Sequence, residues 1–165
     1  MSKLQVETIS HTNNTTGMTI DSSGRILTSA RPAFLAYSTT NDWINYAHGA
    51  RRDMVWDATR FNIGNNYSTS TSKFTCPVAG IYHFHCWTYN SSNTNDYIYL
   101  LINDAEKHTS IINNTASETN HMTALVQCSA SDVVHTGYLG GSDTTTNVYS
   151  NNSEQWSGFE GFLLG

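Results

Sequence analysis

The chain has 165 residues, 38% of them hydrophobic and 13% charged, enough for one sandwich-sized core but too few for two large ones. Eight Lys and Arg against 13 Asp and Glu give a net charge of −5, which argues against a nucleic-acid partner, because such a surface needs clustered cations to displace counterions from phosphates. No stretch reaches the roughly 18 consecutive apolar residues of a membrane helix, so no membrane span is expected, and MSKLQVETIS lacks the apolar centre of a secretory signal.

Residues 1–30 read apart from the rest. Leu4, Val6 and Ile9 alternate with polar residues, HTNNTTG gives way to Met18-Thr19-Ile20, and Asp21-Ser22-Ser23-Gly24 marks a turn before Arg25-Ile26-Leu27. The pattern predicts two or three short strands with too few apolar residues for a core of their own, so this leader is expected to order only against copies of itself or a larger structure. A disordered leader is the alternative.

From Arg31 onward, strand signals recur at sandwich spacing. Strands are expected near 33–37, 44–47, 54–61, 73–76, 81–89, 97–102, 109–112, 121–128, 133–138, 147–149 and 158–164. Asn62 to Tyr67, Asn90 to Asp96 and Gly140-Gly141-Ser142-Asp143 carry the turn chemistry between them, and no 3.6-residue periodicity lasts three turns. The fold class that follows is all-β, a jelly-roll sandwich that hides most strand edges. In the long strand, Ile81, His83, His85, Trp87 and Tyr89 point one way and Tyr82, Phe84, Cys86 and Thr88 the other. One domain has a single inner face to hide such residues, so the second face is expected to be covered by other subunits.

The sequence FNxGxxY from Phe61, then KFTCPVAGIYHF, then Ala124 to Val126 with Asp132-Val133-Val134, and finally SGFEGFLLG resembles the globular head domain of complement component one-q. The resemblance covers residues 31–165. It implies a ten-strand jelly-roll β-sandwich related to tumour necrosis factor, assembled as a homotrimer. It places Phe61, Tyr82, Phe84 and Phe159 in the core, with Gly80 and Gly161 allowing close backbone approach and Phe74 and Cys76 on the short strand before the corner. Asp132 would stand in the family's Gly-Asp turn, with Ser131 in place of the glycine. The sheet holding the long strand would face the threefold axis, making Ile81, His83, His85 and Trp87 the candidate trimer contacts.

Residues 1–30 contain no Gly-X-Y repeat, a departure from the collagen-stalked animal members. LQVETISHTNNTTGMTIDSSGRI is similar instead to the amino-terminal segments of tail-fibre and other virion appendage proteins of tailed phages. Together these readings imply an attachment segment over 1–30, bound to other virion proteins, and a host-surface-binding head over 31–165. The protein is expected in the virion, made in the host cytoplasm; the alternative is a soluble, secreted bacterial or animal lectin or ligand module.

Catalysis finds no support, since GxSxG, HExxH and Gly-rich phosphate loops are all missing. A non-enzymatic role without a cofactor is expected. His83 and His85 form an HxH on a strand, which puts both imidazoles on one face about 7 Å apart at Cα. Around a threefold axis three imidazoles at one level can ligate a transition metal such as zinc; the competing reading is polar lining of a wet interface, stacked on Trp87. Asn93, Asn95 and Asp96 in one loop and Asp143 with Asn147 in another supply the oxygen ligands that calcium takes, and are candidates for recognising a host surface glycan or protein. Plain turn chemistry is the other reading. Trp43, Tyr46, Trp56, Tyr138, Tyr149 and Trp156 exceed what one small core absorbs, so they are expected in subunit contacts or cupping sugars or peptides. His11, His48 and His108 are read as solvated, the Arg51-Arg52 pair as a solvated loop, and Cys76, Cys86 and Cys128, lacking CxxC spacing, as buried free thiols.

Overall fold

Strict alternation in GIYHFHCWTYN builds the strand on which the molecule is centred. Tyr82, Phe84, Cys86, Thr88 and Asn90 are buried, while Ile81, His83, His85, Trp87 and Tyr89 face away from the core. A computed structural model describes residues 6–14, 16–28, 30–46, 49–90, 95–113, 118–141 and 146–164, and its regular structure there is entirely strand.

In the leader, β1 (Thr8–Ser10), β2 (Thr16–Ile20) and β3 (Ile26–Leu27) form a separate antiparallel sheet. The Asp21 carboxylate closes its second turn, accepting from the Ser23 and Arg25 backbone N–H groups and from Arg25 Nε.

The head runs β4 (Ala33–Tyr37), β5 (Trp43–Tyr46), β6 (Arg52–Asp53), β7 (Ala58–Ile63), β8 (Tyr67–Ser68), β9 (Lys73–Thr75), β10 (Gly80–Asn90), β11 (Asn95–Ile102), β12 (Ala105–Asn113), β13 (Glu118–Cys128), β14 (Val133–Leu139), β15 (Thr146–Tyr149) and β16 (Gly158–Leu163). One sheet has the order β5-β15-β10-β16-β4-β7, with β13 also paired to β10; the other is β12-β11-β14-β9-β8, with β6 on β14. Among the described residues the head has thirteen strands, several of them only two to four residues long, in the two sheets of a jelly roll. β6 and β8, two residues each, escaped prediction because neither is long enough to show a period.

Between the sheets lie Phe34, Trp56, Phe74, Tyr82, Phe84 and Phe159, all essentially inaccessible. Phe34 stacks on Tyr67 and Phe74 at 4.7 and 4.8 Å, and Tyr82 on Phe84 at 5.9 Å. Gly161 is required for this packing, since a Cβ there would sit 2.5 Å from Phe84 Cδ1. Two of the polar atoms carried inward are satisfied locally: the Trp56 Nε1–H donates to Thr136 Oγ1 at 2.9 Å and the Tyr82 hydroxyl to the Val78 carbonyl at 2.8 Å. Cys76, Cys86 and Cys128 are buried and unbridged, and burial pushes all three thiols up, away from reactivity.

One core assignment is corrected. Phe61 lies opposite Leu35 on the outward face and is 45% exposed. The strand expected over 54–61 begins only at Ala58, and the β4·β7 register shifts between Leu35 and Ala36. The irregular stretch before β7 sends Met54 and Trp56 into the core instead.

Candidate subunit-contact face and loop tip

The antiparallel registers of β10 lay out its outward face row by row. His83 lies between Phe162 of β16 and Leu125 of β13, His85 between Glu160 and Thr123, and Trp87 between Gly158 and His121. Continuing across β4 and β7, the first row adds Ala33 and Ile63 and the second Leu35 and Phe61. The residues named from the sequence as trimer contacts thus share one surface: Ile81 is 45% exposed and His83, His85 and Trp87 are half-buried. Phe61, Phe162 and Leu125 stand around them at 45%, 42% and 60% exposure.

The two histidines have different surroundings. The His83 ring tilts against Phe162 with centres 5.0 Å apart, and its buried Nδ1 has no hydrogen-bond partner among the described residues. His85 is held at both nitrogens: Nδ1 is 3.1 Å from Glu160 Oε1 and Nε2 is 3.0 Å from His121 Nδ1. Its ring also stacks on Trp87 at 5.2 Å. Among the described residues no three metal-ligating side chains gather within the chain; His85 stands instead in a Glu160–His85–His121 line. Burial, together with the neighbouring His85, lowers the pKa of His121. Neither Glu160 nor His121 was singled out from sequence. Alternation within FEGF and HMTAL would have put both on outward faces, but their meeting at His85 depends on register, which no local pattern carries.

At the far end of β10, Trp87 donates its Nε1–H to the Gln155 carbonyl at 2.9 Å. Trp43, Tyr89, Tyr149 and Trp156 pack edge to face and offset beside it, with centres 4.9 to 6.4 Å apart. Trp87, Tyr89, Thr119, Gln155 and Trp156 line a groove of about 410 Å³. Trp43, Tyr149 and Trp156 therefore lie at the surface. Tyr46, Trp56 and Tyr138 do not: all three are core residues, and burial raises the Tyr46 phenol to about 12.

The loop residues divide. Asn93 and Asp143 fall outside the described residues; Asn147 lies in β15, opposite Asn45, and its side chain is likewise outside them. Asn95 is exposed at the start of β11. Asp96 is corrected, because it is fully buried and its carboxylate accepts from the Tyr138 hydroxyl at 2.8 Å and the Gly141 N–H at 3.0 Å. Asn90 Nδ2 donates to the same hydroxyl at 2.5 Å, so this carboxylate braces the strand ends beneath the loops instead of facing a ligand. His11 and His108 are exposed, His48 lies outside the described residues, and Arg51 is tied to Glu106 at 2.6 Å while Arg52 enters β6.

These two sheets, with their long central strand and outward apolar face, define a jelly-roll head of the complement and tumour necrosis factor type. The C1q domain family matches residues 33–164, and the chain belongs to it. It is similar in structure to the globular domain of a zebrafish complement 1qA protein, with a TM-score of 0.60 at 17% identity over 82% of this chain and 98% of that one. It is similar also to Eiger TNF from S. frugiperda, at 0.56 and 13% over 82% and 94%, and to murine APRIL, at 0.57 and 9% over 81% and 98%. No curated protein matches its sequence. Among the described residues no helix is long and apolar enough to cross a membrane.

Proposed function

We propose that three copies of this chain form a homotrimeric, non-enzymatic recognition head, carried on a phage virion appendage through residues 1–30. The observation that carries the trimer is the outward face of the β10 sheet. Phe61, Ile81, Phe162 and Leu125 stand exposed there around imidazoles and indoles, on a molecule whose core is already complete; contiguous apolar surface of this kind marks an interface. Ile111 on the edge strand β12 is 65% exposed, an apolar contact point outside that face, and an edge of one copy meeting the face of another is a heterologous contact of the kind that closes as a ring. Three heads on one rigid body gain avidity from effective concentration, without covalent chemistry. The virion context is supported by the leader, which resembles phage appendage segments and exposes Ile9, Ile26 and Leu27 on a sheet too small for a core. A soluble ligand-type head is the second reading, favoured by the match to the whole complement globular domain.

Light scattering on the purified chain at micromolar concentration should give three times the chain mass, and Ile81→Asp should reduce it to one without loss of the β-rich circular dichroism. A wild-type monomer would overturn the trimer. Mass spectrometry of purified particles from the source should detect the chain, and its absence would overturn the virion reading.

A further inference from the structure

The contact between His85 and His121 is more ordered than an ordinary pair of neighbouring rings. Their nearest nitrogens are 3.0 Å apart, their centres 5.3 Å and their planes within 8° of parallel. Two imidazoles with that nitrogen separation reach that centre separation only when both nitrogens lie on the line joining the centres, so the rings are coplanar and end to end, not stacked face to face. The Glu160 carboxylate continues the line on the other side of His85.

A carboxylate only accepts, so His85 Nδ1 carries its hydrogen; in the tautomer with His85 Nε2 bare, that nitrogen accepts from His121 Nδ1–H. That leaves His121 with a bare Nε2, turned away from the line. His121 is exposed on β13, on the outward face. A neutral imidazole whose other nitrogen is anchored through hydrogen bonds to a carboxylate is how proteins orient a histidine for a metal ion.

We propose that His121 Nε2 is a ligand for a zinc-class transition ion shared between copies of the chain, with His85 and Glu160 as the positioning residues behind it. The inference rests on the trimer proposed above. One imidazole per chain is too few, and no three ligating groups converge within the described residues of one chain. A threefold assembly supplies three equivalent nitrogens, leaving the fourth tetrahedral position to water. The sequence pattern pointed to His83 and His85, but His85 already uses both nitrogens and His83 is turned against Phe162.

The test uses the full chain, stripped with a chelator and resupplied with Zn²⁺ or Co²⁺. Metal analysis should find about one ion per three chains, and bound cobalt should show the visible absorption of tetrahedral nitrogen coordination. His121→Ala should abolish both while the light-scattering mass stays that of the wild type. Glu160→Gln should weaken zinc binding by about 10- to 100-fold at unchanged stoichiometry, the usual loss on removing an outer partner. A trimer that takes up no stoichiometric ion, or a His121→Ala trimer that retains one, overturns the metal site alone. A monomer overturns the site and the assembly together.

Discussion

Ser131 holds a backbone conformation with φ of 72°, in the left-handed region where a side chain clashes with its own carbonyl. The turn keeps it there: its N–H donates to the Cys76 carbonyl at 2.7 Å, while the Asp132 carboxylate accepts from Asn103 Nδ2 and from the Ser129 N–H, both at 2.8 Å. The Asn103 bond is the chief cause holding the Asp132 carboxyl below its usual range. Glycine at this position removes a strain of about 1–2 kcal/mol, offset by the roughly 0.5–1 kcal/mol of extra freedom it has when unfolded. Ser131→Gly should therefore raise stability by up to about 1 kcal/mol in urea denaturation; a loss would show that the serine side chain does more than fit the turn. The resemblance of Ser131-Asp132 to a Gly-Asp turn made this position legible from sequence. Asp96 was not legible, because an Asp beside Asn residues reads as a solvated turn whether or not a tyrosine hydroxyl waits above it in the fold.

At the level of strands, alternation was decisive wherever a strand is long and regular. Gly80–Asn90 shows one buried and one outward set, and both were readable because a period of two over eleven residues has no competing explanation. Phe61 marks the limit: a shift of one residue turns a whole strand over, and the irregularity between Leu35 and Ala36 is set by packing across two strands, not by the residues of either. The same logic separates the two faces of β10 energetically. Phe84 meets Phe74, Tyr82 and Phe159 with ring centres about 6 Å away, and Gly161 has no Cβ where Phe84 lies, so nothing nearby can expand to refill its place. Phe84→Ala should cost about 3–5 kcal/mol in urea denaturation. A cost below about 1 kcal/mol would mean that the sandwich collapses onto the gap.

Across the head as a whole, one buried titratable group joins segments far apart in sequence. His135 on β14 is 2% exposed, with Nε2 3.3 Å from Asp53 Oδ1 on β6 and 3.6 Å from Asp104 Oδ1 in the β11–β12 turn. Lys73 on β9 reaches Asp104 at 3.0 Å and Asp53 at 3.9 Å. Burial lowers the His135 pKa; the two aspartates pull it up and Lys73 pushes it down, and the net shift is downward from 6.5. The unfolded chain, with its ordinary histidine, therefore takes up this proton at higher pH than the folded one. Stability is fully present above about pH 6.5 and falls as the pH drops from there toward the lower folded value. His121 is shifted the same way and adds to the slope. Urea denaturation at pH 7.5, 6.5 and 5.5 should show this acid-side loss, and His135→Gln, which cannot charge, should lessen it while leaving His121's share. A wild type equally stable at pH 5.5 and 7.5, or a variant with an undiminished slope, would mean that the Asp53 and Asp104 carboxylates compensate for burial and that His135 charges inside the fold as readily as outside it.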